Sequence, residues 1–189
     1  MKKVLFTITL LLFSSIISAQ NDNEVGDLTY SKVIQDEHNA SKSDLYSVMR
    51  GFISMYFKNS QKVIQMDDKD AGIIICKGTS IFDTHNMMLS SYDGWLDFSL
   101  KIQTRDGRIK IEVSSFFHHN KPGYAEKSNL GGLTTADLYT DKGIAKKYHN
   151  KVWGMLKEKA FSISEDIFNE AEIAMKKGNK ESPSGDDNW

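Results

Sequence analysis

Apolar residues three and four positions apart predict an amphipathic helix soon after the first apolar segment of the chain. That first segment, LTYSKVI at 28–34, favours a strand. Ser41 with Asp44 three residues later is a pattern that starts helices. The apolar positions that follow lie on one side of a helix: Leu45, Val48, Met49, Phe52, Ile53 and Tyr56. The pattern indicates a helix that buries this stripe.

A second helical pattern occupies residues 144 to about 175. Its apolar positions again alternate between spacings of three and four: Ala145, Tyr148, Val152, Leu156, Ala160, Ile163, Ile167, Ala171 and Ala174. About 30 residues make a helix of roughly 45 Å, which is longer than a small sheet can cover. We therefore expect its C-terminal turns to project from the domain or to bend at 162–164.

Two hairpins are predicted between these helices. Residues 63–66 and 73–81 are rich in β-branched side chains and flank the acidic sequence DDKD at 67–70. Asp106-Gly107, between two alternating segments, is typical of a two-residue type I′ turn, in which both central residues have positive φ. Counting outward from this turn places Lys101 opposite Glu112, which is a favourable cross-strand pair.

This register assigns each side chain of the second hairpin to one of two faces. The face expected to lie against the helices carries Leu96, Phe98, Leu100, Ile102, Thr104, Ile109, Ile111, Val113, Ser115 and Phe117. The other face carries polar side chains and, at its far end, Trp95, Asp97, Phe116 and His118. The order β-α-β-β-β-β-α predicts an α+β domain, a single antiparallel sheet with two helices on one face.

The N-terminal sequence has the pattern of a secretory signal peptide over residues 1–19. Two lysines precede an uncharged apolar run and a small-residue cleavage site. The run is shorter than the roughly 20 apolar residues that span a bilayer, although an uncleaved anchor is the alternative. We expect export to the periplasm or the medium without stable membrane insertion, with a flexible lead at 20–27, one domain at 28–175 and a disordered tail at 176–189.

The charge and the cysteine content argue against nucleic-acid binding and against a fold held by disulfides. The net charge is −1, and it becomes −3 without residues 1–19 because these contain two lysines and no acid. Such a chain lacks the positive field that nucleic-acid binding uses, so no nucleic-acid partner is expected. Cys76 is the only cysteine, so no intramolecular disulfide can form and the apolar core must hold the fold.

Several short motifs occur in an order known from one bacterial family. They are YSKVI (30–34), SKSDLY (41–46), IQMDDKDAG (64–72), KG (77–78) and RDGR (105–108). Over residues 28 to 120 the chain resembles an exported bacterial domain family of unknown function whose fold is described as TATA-binding-protein-like. The resemblance implies a curved antiparallel sheet with helices on one side and supplies no catalytic residue. The fold name alone does not imply DNA binding, because function depends on sites.

Residues with catalytic or metal-binding chemistry are few. The acids at 67, 68 and 70 lack the spacing of a calcium loop, so we interpret them as a solvated turn, with weak divalent-cation binding as the alternative. His118 and His119 are strand neighbours that point to opposite faces, so both could bind one metal only across a bulge. Cys76 lies in an apolar strand, where burial makes a thiol unreactive. We expect no metal, no cofactor and no catalytic residue.

The sheet face without helices carries the candidate binding surface, Trp95, Asp97, Phe116 and His118. Exposed aromatic patches tend to mark partner or ligand sites. The alternative is that the long loop at 120–142 folds back over them through Leu130, Leu133, Leu138 and Tyr139. We predict a non-catalytic binding or interaction domain of the cell envelope. A small-molecule carrier or hydrolase, with a pocket between sheet and loop, is the alternative, and self-association through the last helix is a third hypothesis.

Overall fold

A computed structural model describes residues 25–139 and 143–178. The strands are β1 (Tyr30–Gln35), β2 (Ile64–Asp68), β3 (Ile73–Phe82), β4 (Gly94–Arg105), β5 (Arg108–Asn120) and β6 (Gly131–Gly132). The helices are α1 (Lys42–Tyr56), α2 (Ser60–Val63) and α3 (Lys146–Gly178), with 3-10 helices at Met87–Tyr92 and Glu126–Ser128. The predicted signal peptide and residues 179–189 of the predicted tail lie outside the described residues.

The strands form one antiparallel sheet in the order β1-β5-β4-β3-β2. Two short strands share the outer edge of β5, since β1 pairs with residues 108–113 and β6 with Phe117 and His118. Helices α1 and α3 pack against each other and against one face of the sheet. Burial alternates along β4 as an antiparallel strand with one covered face requires. The predicted α+β architecture is confirmed, and the two 3-10 helices, α2 and β6 are additional.

Helix α1 begins as its sequence predicts. The Ser41 side chain accepts a hydrogen bond from the backbone N–H of Asp44, and the Asp44 carboxylate accepts one from the Ser41 hydroxyl at 2.7 Å. These bonds satisfy a backbone donor that the first helical turn leaves without a partner. Leu45, Met49 and Ile53 are fully buried, so the predicted stripe is the face that contacts the sheet and α3.

Helix α3 is continuous over its 33 residues, about 50 Å of helix. The expectation that its last turns project is wrong, because Ala171 and Met175 are buried. Lys32 of β1 also bonds Glu172 of α3 at 3.0 Å between Nζ and Oε2. The Ser164 hydroxyl donates to the carbonyl oxygen of Ala160 at 2.8 Å, so this buried serine is satisfied without interrupting the helix.

The Asp106-Gly107 turn lies where the sequence predicts, but it is not of type I′. Gly107 has a φ of 69°, whereas Asp106 has no positive φ. Contacts to the β1–α1 connection explain the difference. The Asp106 carboxylate accepts from the backbone N–H of Lys42 at 2.8 Å, and the Gly107 N–H donates to the Ala40 carbonyl at 2.9 Å. The tip of the hairpin is therefore fixed by the start of α1.

Candidate functional site

A bulge in β5 decides which aromatic side chains reach the open face of the sheet. From Arg105–Arg108 to Ser99–Ser114 the β4–β5 register is the predicted one. Beyond it Asp97 faces Phe117, so two residues of β5, Ser115 and Phe116, lie opposite one residue of β4. Ser115 takes up the extra length with a left-handed φ of 54°. Every side chain of β5 after Ser115 is thereby moved to the face opposite the predicted one.

The predicted placement of Phe116 and His118 on the open face is therefore wrong. Phe116 is 1% exposed and lies on the helix side, with its ring centroid 6.2 Å from that of Phe98 and 6.1 Å from that of Tyr30. His118 is completely buried beside Phe82. The predicted residues Trp95 and Asp97 do lie on the open face, half-buried.

The open face instead carries Phe117 and His119 beside Trp95 and Asp97, and we call these four residues the aromatic cluster. Phe117 is 50% exposed. The His119 ring meets the Trp95 ring edge to face, with centroids 5.5 Å apart. Ile81, the cross-strand neighbour of Trp95 on β3, is 70% exposed. Apolar surface thus continues from β5 across β4 to β3.

The polar groups of the aromatic cluster centre on Asp97. One carboxylate oxygen accepts a 2.6 Å hydrogen bond from the Thr79 hydroxyl. The other lies 3.5 Å from Nε2 of His119. That nitrogen is buried and has no hydrogen-bond partner within the described residues. A cleft of about 350 Å³ opens beside Asp97 and Phe117, and its walls come from β3, β4 and β5.

The loop at 120–142 does not cover the aromatic cluster with any of its described residues. It forms β6 at the edge of β5, and its Leu130 and Leu133 are buried in the core. It then reaches α3, where the ring of Tyr139 packs on Trp153. The alternative, in which this loop covers the cluster, is wrong for the residues up to Tyr139.

The buried side chain of His118 anchors the loop at 120–142 through a hydrogen bond. Its Nδ1 accepts a hydrogen bond from the backbone N–H of Leu130 at 3.2 Å, and its Nε2 lies 2.9 Å from the carbonyl oxygen of Tyr92. Since Nδ1 accepts, Nε2 carries the proton and donates, which defines a neutral ring. Burial lowers the pKa of His118 below its ordinary value, and the bond to the Tyr92 carbonyl opposes this only in part.

The acidic sequence between β2 and β3 is a turn only in its second half. Asp67 belongs to β2 and accepts hydrogen bonds from the Tyr46 hydroxyl and, at 2.7 Å, from Nε of Arg50, both on α1. Burial alone would raise the pKa of Asp67, but these hydrogen bonds and the Arg50 charge lower it. Asp68 accepts from the Ala71 N–H at 2.8 Å and shapes the turn. Asp67 therefore joins α1 to the sheet edge.

Other candidate chemistry is buried or dispersed. Burial raises the pKa of the Cys76 thiol to about 11, which keeps it protonated at neutral pH. Among the residues that the structure describes, no three His, Cys, Asp or Glu side chains are grouped to hold a metal ion. In residues 25–139 and 143–178, none of the helices has the length and apolar character of a membrane span.

Two solved structures share the class of fold, an open antiparallel sheet with helices on one face. A TBP-like protein from Parabacteroides distasonis is 17% identical with a TM-score of 0.53, and the match covers 82% of this chain and 97% of that one. A DUF4468 family protein from Bacteroides ovatus is 15% identical with a TM-score of 0.57, covering 86% and 91%. At these identities the similarity establishes the fold alone.

The family follows from the sequence of the sheet. A family model described as a domain of unknown function (DUF4468) with TBP-like fold matches residues 30–119, from the start of β1 almost to the end of β5. This segment of the chain belongs to the DUF4468 family, which confirms the family and the fold that the ordered motifs implied. No curated protein matches the chain.

Proposed function

We propose that the protein is an exported, non-catalytic interaction domain of the bacterial cell envelope and that the aromatic cluster is where it contacts another protein. The observation that carries this proposal is Phe117, half exposed on a face that neither helices nor the described loop cover. With Trp95 and the exposed Ile81 it forms a continuous apolar surface. Aromatic side chains of this kind are enriched at protein interfaces and supply much of their binding energy.

The polar groups at the surface favour recognition. Asp97 is oriented by Thr79, so its position is set before a partner arrives. Nε2 of His119 is buried and lies 3.5 Å from the second oxygen of the same carboxylate, so Asp97 is the polar group of the cluster that a partner can reach. The groups that carry chemistry elsewhere have structural roles, since His118 holds the loop and Asp67 holds α1. Export is proposed from the N-terminal sequence pattern.

Site-specific photocrosslinking in cells tests this proposal. A benzoyl-phenylalanine replaces Phe117 in one variant and Phe161 in another. Phe161 is a matched control because it is 53% exposed but lies on α3, on the other side of the sheet. A single crosslinked product from position 117 that Trp95→Ala abolishes is the expected result. No product at 117, or the same product from 161, would refute a contact surface on the open face.

A further inference from the structure

The open face has a second, basic region at the opposite end of the β4–β5 hairpin. Its cations are Lys101 and Arg105 on β4 and Arg108 and Lys110 on β5, and we call these four residues the basic strip. Along β4 the aromatic cluster ends at Asp97 and the basic strip runs from Lys101 to Arg105, so the two regions begin four residues, or about 13 Å of strand, apart. The two regions thus share one face and are separate in space.

The fold neutralises the basic strip only in part. Arg105 and Arg108 are exposed and directly opposite each other in the register, and like charges in such positions destabilise a hairpin. Their side chains form no hydrogen bond or ion pair with the rest of the described chain. The carboxylate of the neighbouring Asp106 is held at the backbone N–H of Lys42 and forms no ion pair with either arginine within the described chain. Glu112 lies opposite Lys101 in the register and 3.5 Å from Nζ of Lys110, so it offsets charge at the lysine end of the strip and leaves the two arginines.

The surroundings of the basic strip indicate what kind of anion it fits. A cleft of about 340 Å³ is lined by Arg105, Arg108 and Lys110 together with Gln103 and Val33, and Val33 is 53% exposed. Arg105 and Arg108 lie opposite each other, and Lys110 and Lys101 follow at about 7 and 13 Å along their strands, so the four cations extend over more than the width of one phosphate. Alternate side chains of an extended peptide have the same spacing, and Val33 and Gln103 can contact its aliphatic parts.

A membrane surface fits this geometry less well. Peripheral binding to anionic lipid combines cations with apolar side chains that enter the bilayer at the same place. Met87 and Met88 are both highly exposed apolar side chains, and they lie in the 3-10 helix that precedes β4. Arg105 and Arg108 lie at the other end of the hairpin, where Val33 is the exposed apolar neighbour, so the two methionines are separated from these arginines by the length of β4.

We propose that the basic strip binds an extended acidic segment of a partner protein, with carboxylates at alternate positions along the row of cations. This inference rests on the proposed function, in which the open face is a protein contact, and it names the chemistry of the partner. Arginine suits this role because its guanidinium group can bind a carboxylate through two parallel hydrogen bonds. The aromatic cluster supplies the apolar part of the same interface.

Fluorescence anisotropy with a labelled peptide of alternating Glu and Thr tests this proposal directly. The full chain is compared with Arg105→Gln/Arg108→Gln and with the control Lys146→Gln/Lys147→Gln, which removes the same charge from two exposed residues at the start of α3. We expect binding at about 20 mM salt that weakens strongly at about 200 mM. The arginine variant should bind about fivefold more weakly, and the control less than about twofold. A peptide of alternating Gln and Thr should not bind.

The next three results would each refute the acidic-peptide proposal, and a fourth would bear on the aromatic contact. No binding at low salt, or equal weakening in both variants, would mean that the strip has no specific role. Displacement by inorganic phosphate at matched ionic strength would indicate a single-anion site. Binding to phosphatidylcholine vesicles containing about one quarter phosphatidylglycerol, without peptide binding, would indicate a membrane. Loss of crosslinking at Phe117 with peptide binding intact would refute the aromatic contact alone and leave the basic strip.

Discussion

Two adjacent phenylalanines allow the bulge in β5 to be tested by a matched pair of substitutions. Phe116 is 1% exposed and packs between Tyr30 and Phe98, whereas Phe117 is 50% exposed on the open face. Removing a buried phenylalanine ring typically costs about 3–5 kcal/mol, because apolar contacts are lost and a cavity remains. An exposed side chain without special contacts contributes within about 0.5 kcal/mol. Phe116→Ala should therefore lower the free energy of unfolding by about 3–5 kcal/mol, and Phe117→Ala by less than about 0.5 kcal/mol.

Urea unfolding followed by far-UV circular dichroism measures both values. For a folded region of this size, each kcal/mol corresponds to about 2–4 °C in melting temperature, so Phe116→Ala should melt roughly 6–20 °C lower. The slope of the free energy against urea should be the same in both variants, which shows that both start from the same native state. If Phe117→Ala is the destabilised variant and Phe116→Ala is neutral, the β4–β5 register continues without a bulge and the aromatic cluster has the wrong members.

Three further predictions concern buried and strained groups. His118 has a pKa below its ordinary value of 6.5 in the folded protein, so its contribution to stability is complete above about pH 6.5 and is lost as the pH falls through the folded pKa. Chemical denaturation should show the free energy of unfolding falling between about pH 7 and 5. His118→Gln should be less stable at pH 7, and its free energy of unfolding should depend less on pH over this range. Ser115→Gly should raise the unfolding free energy by up to about 1 kcal/mol and Ser115→Val should lower it, because the left-handed φ strains any residue with a Cβ; equal stability of the two would contradict the strain. Cys76 is fully buried, so Ellman's reagent should react with it in urea and not in the native protein, and rapid native reaction would show that β3 opens readily.

The two long helices and the order of elements along the chain were predictable because their signals are local and redundant. Six apolar positions define α1, and Ser41 with Asp44 fixes where it starts, so no tertiary contact was needed to find it. The packing of the last turns of α3 against the domain was not predictable, because contacts with distant parts of the chain hold them there. Lys32 of β1 reaches Glu172, and nothing in the periodicity of either segment indicates this bond.

The candidate site shows where alternation along a strand stops being informative. Residues 116–119 are two aromatic residues followed by two histidines, so either register places one phenylalanine and one histidine on each face. Hydrophobic pattern cannot choose between the two, and the missed residues Phe117 and His119 gave no separate signal. The choice depends on the extra residue at Ser115, and serine is not a residue whose presence predicts a positive φ. Trp95 and Asp97 were placed correctly because they lie on β4, which carries no extra residue.

The pairing of the first strand with the fifth has a consequence for how the chain comes to be folded. In the described chain β1 has β5 as its sheet partner, and Tyr30 at its start lies opposite Val113. A polypeptide that emerges N-terminus first, from a ribosome or from a narrow channel, cannot close this pairing until more than half of its length has appeared. Distant contacts of this kind form slowly, because the ends of a long loop must first meet. The early segments therefore remain accessible to chaperones during synthesis, and the sheet is complete only when β5 has formed.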